Sequence, residues 1–316
     1  MREGILYSII IPYFNSSRYI DELIESIPIS PEFEIIIVDD KSTDDETVYL
    51  KDSISRYSSH NIDYFYNDQI KSAGTCRNIG IEHASGKWVI FADADDYFTE
   101  NFSPLLNKWK DADEDVIYFS PTSYNREEGR IGTRHIIYTS RIKDYIETPR
   151  RRTELALKSD FVVPWSKIIK RDFIERHGFR FDQVIASNDV MFSLRVAFSD
   201  VKIRCVDECM YCVTNNPRSL MYQCDRKSLD SRLNVYIEQY KFLKEKLTPV
   251  EFDSLHMYGT AMLKRYYFAK QDVKCLFWVY WRLNKNGIKL FSFRLFNFKS
   301  VRKSVYMILC NPFYKK

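Results

Sequence analysis

The first 120 residues alternate between two periods, and that alternation leaves few folds open. Leu6–Ile11, Phe33–Val38, Ile62–Tyr66, Trp88–Ala92 and Val116–Ser120 are short apolar, β-rich runs of strand length. Between them Arg18–Ser26, Val48–Tyr57 and Thr75–Ala84 carry helix-like spacing. Strand, helix and strand repeated in this way predict an α/β fold, a mostly parallel sheet covered by helices on both faces. Each run is apolar throughout rather than alternating, so all five strands are expected to be central and buried. In open sheets of this kind ligands bind beyond the carboxyl ends of the strands.

Three polar clusters follow strands at those ends. Pro12-Tyr13-Phe14-Asn15 follows the first run, Asp39-Asp40-Lys41-Ser42-Thr43-Asp44 the second, and Asp93-Ala94-Asp95-Asp96 the fourth. A carboxylate at a buried strand end loses water and gains like-charged neighbours, and both effects cost stability. A divalent cation would relieve that cost. Mg²⁺ or Mn²⁺ suits one or two protein carboxylates, with the other positions left to a diphosphate and water. The bland reading is an acidic turn that caps the helix at Phe102, through Asp96 or Thr99. For Asp39-Asp40 the bland reading is likewise capping, and the functional one is a carboxylate accepting from a base imide or a ribose hydroxyl.

Gly74-Thr75-Cys76-Arg77-Asn78-Ile79-Gly80 is a small-residue entry to a helix with Arg in its first turns. A cation there is disfavoured unless something anionic lies near, such as a nucleotide, Asp39 or Asp93. Ser187-Asn188-Asp189-Val190-Met191-Phe192 opens an amphipathic helix in which Asp189 is either a first-turn carboxylate or a general base.

Taken together these residues resemble the family 2 glycosyltransferases of the GT-A fold, in particular the bacterial polysaccharide-synthesis members. The likeness is carried by Ser8–Asn15, Ile36–Asp44, Arg77-Asn78-Ile79-Gly80 and Phe91–Asp96, and more weakly by Pro164–Ile169, Gly178–Phe181 and Asn188-Asp189-Val190. The resemblance implies that Pro12, Tyr13, Asn15, Asp39, Arg77 and Asp93 surround the nucleotide and that Asp95 ligates Mn²⁺ or Mg²⁺ on the diphosphate. It also makes Asp189 the general base of an inverting transfer. Trp165, Lys167 and Arg218 are candidates for acceptor or diphosphate contact. The family usually has Gly where this chain has Lys41 and Glu where it has Asn188. The implied reaction moves a sugar from a nucleotide diphosphate, UDP by family habit, to a lipid-linked or polysaccharide glycan. The rivals are a non-catalytic carbohydrate- or nucleotide-binding protein on the same fold and a sugar-phosphate nucleotidyltransferase. The latter would need a Gly-rich loop where Pro12-Tyr13-Phe14-Asn15 stands.

With 45% hydrophobic residues and only 9 Gly and 10 Pro in 316 residues, disordered and fibrous classes are excluded. The expected organisation is a catalytic domain over 1–225, with a nucleotide-sugar half at 1–120 and an acceptor half at 121–225, then a helical region at 226–316. From Gln271 onward there are ten Lys/Arg against one Asp, which leaves a net −5 on the rest of a +4 chain. Ile288, Phe291, Leu295 and Phe298 share a helical face among Lys289, Arg294, Lys299, Arg302 and Lys303. This composition suits an interfacial helix on anionic lipid, and a nucleic-acid partner is not expected. No run reaches the roughly 18 apolar residues of a membrane span, and Leu6–Ile11 is not preceded by a secretory pattern. Seven cysteines then read as reduced thiols. Cys205, Cys209 and Cys212 are close in sequence but lack paired knuckles, so buried thiols are expected rather than zinc. The expected location is cytoplasmic, peripheral on the inner face of the membrane.

Overall fold

The computed structural model describes residues 4–215 and 224–291. Among these, the first part of the chain builds β1 (Tyr7–Tyr13), α1 (Ser17–Glu25), β2 (Phe33–Asp39), α2 (Asp44–Arg56), β3 (Ile62–Tyr66), α3 (Ala73–His83) and β4 (Trp88–Phe91). A two-residue strand β5 (Tyr97–Phe98) and α4 (Phe102–Trp109) follow, then β6 (Val116–Asn125), β7 (Arg130–Ile131), α5 (Ile136–Glu147) and α6 (Arg151–Asp160). β8 (Lys167–Lys170), α7 (Arg171–His177), α8 (Asn188–Ala197) and β9 (Ile203–Asn215) complete the sheet. The charged stretch after Pro121 holds the end of a long strand, a hairpin and two helices. The rest is helical: α9 (Arg226–Lys246), α10 (Pro249–Ser254), α11 (Thr260–Phe268) and α12 (Val273–Lys285).

Two compact units divide these residues. One holds the chain up to β9 together with Asp230–Val235, and the other holds Cys224–Leu229 and everything from Tyr236 on. In the first unit the described strands form a nine-stranded sheet in the order β3-β2-β1-β4-β8-β6-β9-β5, with β7 on β6. β3, β2, β1 and β4 are parallel. β8 runs antiparallel between β4 and β6, and β9 is parallel to β6. Register makes the upper edge level: Tyr13 lies opposite Asp39, and Asp39 opposite Tyr66. Because β8 is reversed, Trp165 and Ser166, which lead into it, reach that same edge.

β1, β2 and β4 are buried along nearly their whole length, as uniformly apolar strands should be. β3 is different. Its sequence Ile-Asp-Tyr-Phe-Tyr is half-exposed because it forms the edge of the sheet, so the expectation of five central strands holds for four. One face is covered by α1 through Ile20, Leu23 and Ile24 at helical spacing. The other is covered by α3, which packs tightly against β1 because Gly80 has no side chain; a Cβ there would overlap Ile10. β9 shifts register against β6 at Phe119, Ser120 and Thr122, and such bulges re-aim side chains near a sheet's working edge.

Candidate functional site

The first two polar clusters are held to one another. Asn15, at φ 45°, donates its N–H to Ser42 Oγ and accepts from the Thr43 N–H through Oδ1, so the loops after β1 and β2 are tied together. Asp39 is buried and accepts from the Ser42 N–H at 2.9 Å and from the hydroxyls of Thr47 (3.0 Å) and Tyr64 (3.4 Å). Its carboxylate thus builds the β2–α2 turn from outside the helix, since α2 begins behind Thr43 without a side-chain cap. Lys41 sits at φ 62°, left-handed backbone that glycine adopts at lower cost. That is the physical content of the family's usual glycine here. Its Nζ donates to the Gln69 carbonyl.

Pro12 is partly exposed, but Tyr13 is fully buried and donates to Glu46 at 2.9 Å. Phe14, just past the end of β1, is exposed instead, with Lys71 Nζ 3.4 Å from its ring centre. Sequence reasoning chose Tyr13; the open aromatic of the pair is Phe14.

The acidic turn after β4 divides into three roles. Asp93 Oδ1 is paired with Arg77 Nη2 at 2.6 Å. Asp96 is 1% exposed and accepts from the Tyr211 hydroxyl at 2.8 Å and the Thr214 N–H at 2.7 Å. Burial, with Asp95 and Asp93 adding to it, pushes the Asp96 carboxyl well above the usual carboxylate range, and Arg134 opposes the shift. Asp95 is partly exposed, and its main-chain carbonyl accepts from Thr214 Oγ1 and Arg126 Nη2. The turn is not a helix cap, since α4 starts at Phe102 behind Asn101, with no side-chain cap. Nor do three carboxylates await one ion, because the chain's own donors take up two of them. Among the described residues no three His, Cys, Asp or Glu side chains are grouped to hold a metal. As a partly exposed hard oxygen donor, Asp95 is the kind of group that Mg²⁺ or Mn²⁺ takes beside a diphosphate and water. Tyr211 organises the turn: its hydroxyl donates to Asp96, accepts from the Asp93 N–H, and its ring stacks on Trp165.

Arg77 joins this turn to the second half of the unit. Its Nη1 donates to Asn188 Oδ1 at 2.8 Å while Nη2 holds Asp93. The anionic neighbour that a first-turns arginine requires is therefore Asp93. Asn188 opens α8 behind Ser187 at φ 61°, and the preceding Ala186 is pinned through both its N–H and its carbonyl by Ser231 Oγ. A Cβ at Gly74 would crowd Asn188 Cβ, so the small entry to α3 makes room for α8. Asp189 follows. Burial pushes its carboxyl up; Arg77 and Lys167 pull it down, and Asp93 raises it further.

Trp165 and Lys167 are brought to the right edge but face inward, each 2% exposed. Lys167 donates to the Phe161 carbonyl between the rings of Tyr118 and Phe161, and burial pushes its ammonium down to about 7. Neither side chain presents an open surface to an acceptor. Arg218 lies outside the described residues. Of the three cysteines on β9, only Cys212 is buried; Cys205 and Cys209 are half-buried. Arg126, Arg134 and Tyr211 went unnoticed in the sequence because nothing local to them signals that they converge on the acidic turn.

A family model described as glycosyl transferase family 2 matches residues 8–178. An uncharacterised glycosyltransferase of Rickettsia felis is 34% identical over 131 residues, 39% of this chain and 20% of that protein. The chain thus spans about a fifth of that relative's length. Among solved structures, Staphylococcus aureus TarS 1–349 in complex with UDP-GlcNAc superposes with a TM-score of 0.60 at 20% identity, over 83% of this chain and 71% of that one. The mannosyltransferase PcManGT of Pyrobaculum calidifontis, in complex with GDP-Man and Mn²⁺, gives 0.54 at 14% identity over 97% and 81%. At these identities the structural likeness establishes the fold, which is GT-A.

Proposed function

Because the chain belongs to glycosyl transferase family 2, we propose that it transfers a sugar from a nucleotide diphosphate, UDP in our reading, to an acceptor hydroxyl with inversion. The observation that carries this reading is the bridge from Asp93 through Arg77 to Asn188, beside Asp189. It ties the strand-end acidic turn of the nucleotide half to the carboxylate best suited to take a proton.

The chemistry follows from the groups present. Asp189, raised by burial yet steadied by Arg77 and Lys167, accepts the acceptor hydroxyl's proton as that oxygen attacks the anomeric carbon; such a base contributes about 10²–10⁴-fold. One base on the face opposite the leaving group gives inversion. Arg77 and Arg126 bring positive charge to the acidic turn where the diphosphate departs. Mn²⁺ or Mg²⁺ at Asp95 would supply charge neutralisation on the leaving diphosphate. The loops after β1 and β2, locked by Asn15 and Asp39, form the floor for base and ribose. The acceptor in this reading is a lipid-linked or polysaccharide glycan of the cell surface, met at the inner face of the membrane through the basic C-terminal region. Residues up to about 225 form the catalytic domain.

A panel of nucleotide sugars, assayed for nucleotide release with and without Mn²⁺, tests the proposal. Nucleotide sugar that binds but is never turned over, with any acceptor, would leave a binding protein on the same fold.

A further inference from the structure

α12 is apolar on two sides. Cys275, Val279 and Leu283 form its buried stripe. Val273, Phe277, Tyr280 and Trp281 form a second, at i, i+4, i+7 and i+8, and these are 80%, 68%, 42% and 48% exposed. A helix of a water-soluble surface carries polar residues on that second face. Beside it, α11 contributes Leu263, Tyr267 and Phe268 to an apolar groove of about 620 Å³ that also takes in Leu276 and Tyr280. Contiguous exposed apolar surface of this kind marks an interaction site.

Charge selects the occupant. Thr260–Phe291 holds seven Lys/Arg and one acidic residue, Asp272, which is used as the N-cap of α12. On the helical wheel Lys274 and Lys285 border the aromatic stripe, and Lys285 Nζ lies 5.0 Å from the Trp281 ring centre. Aromatic rings at the level of the headgroups, with long cationic side chains reaching the phosphates beside them, are the recognition chemistry of an anionic lipid surface. No described helix is long and apolar enough to cross a membrane. We infer that the exposed α11–α12 face is a docking surface for an anionic bilayer, which α12 meets side-on with Phe277 and Trp281 inserted and Lys274 and Lys285 on phosphate. This deepens the membrane-side reading proposed above and narrows the contact within the basic C-terminal region to α11 and α12; Leu295 and Phe298, read from the sequence as part of an interfacial face, lie outside the described residues.

The test uses the full chain, with residues 292–316 kept in every variant, and requires neither donor nor acceptor. Its failure is therefore separable from failure of the transfer assay. Flotation with vesicles of roughly one-third phosphatidylglycerol in phosphatidylcholine is compared with phosphatidylcholine alone. Binding to the anionic vesicles is expected, at least about tenfold weaker for Lys274→Glu/Lys285→Glu and for Phe277→Ala/Trp281→Ala, and falling with salt. Should the alanine variant misfold, Trp281→Phe keeps the test open: brominated lipid should quench the parent's fluorescence and quench this variant's less. Equal binding to both vesicle types, unchanged binding by the variants, or a dimer dissolved by Phe277→Ala/Trp281→Ala without any vesicle binding would each overturn the inference.

Discussion

Arg77 Nη2 stands 2.6 Å from Asp93 Oδ1, with the arginine side chain 6% exposed and the aspartate 32%. The same guanidinium holds Asn188 across the cleft between α3 and α8. One planar fork thus fixes two elements that are 111 residues apart. Lysine offers a point charge and cannot make both contacts. Arg77→Lys is expected to lower stability by about 1–3 kcal/mol through the unpaired Asn188 and the weakened ion pair, and to weaken nucleotide binding. Thermal unfolding and nucleotide titration read the two effects separately.

Asp95→Ala should leave the fold intact, because Thr214 and Arg126 hold the residue by its main-chain carbonyl, which alanine retains. Loss of the carboxylate should reduce turnover by about 100-fold or more, the scale of several kcal/mol of leaving-group stabilisation. Calorimetry should show UDP affinity that no longer responds to Mn²⁺. An Asp95→Ala enzyme with full Mn²⁺ dependence would place the ion elsewhere.

Asp189→Asn should lower kcat by about 10²–10⁴-fold with nucleotide binding unchanged. The pH dependence has a definite sign. The carboxyl is raised above its ordinary value by burial, and only its ionised form is a base. Turnover therefore falls as pH drops through that raised value, earlier than an ordinary carboxylate would dictate. Asn188→Asp puts a second carboxylate beside it and should move the acid limb to higher pH. A kcat–pH profile of parent and variant checks the direction. An unchanged limb would mean that another group limits the rate.

Tyr211→Phe keeps the ring on Trp165 but removes the hydroxyl that donates to Asp96 and accepts from the Asp93 N–H. The buried Asp96 loses one of its two donors and the partly buried Asp93 N–H loses its acceptor, at about 1–3 kcal/mol for the buried group. The melting temperature should drop, and the nucleotide KM should rise because the acidic turn loosens. A variant as stable as the parent would show that Thr214 alone secures Asp96.

The chain's alternating periods determined the elements of its first half. Short apolar runs can only be buried as strands of a covered sheet, and the three polar clusters had to lie at one edge because parallel strands end together. That Asp93, Asp95, Arg77 and Asp189 deserved notice was also legible, since their residue types are costly in those local settings. The division of labour among them was not. Asp96 takes a hydrogen bond from a strand residue 115 positions away, and Arg126 and Arg134 arrive from a hairpin and helices that their own sequence hardly announces. Tyr13 is buried as the last residue of β1, whereas Phe14, one residue past the strand's end, is exposed. Trp165 and Lys167 reach the site edge because β8 runs antiparallel, and there they are buried against Tyr211 and against Tyr118 and Phe161. Local periodicity is written in neighbouring residues. Pairing of charges across a sheet, and the side on which an aromatic emerges, depend on contacts between distant segments, and only the folded chain decides them.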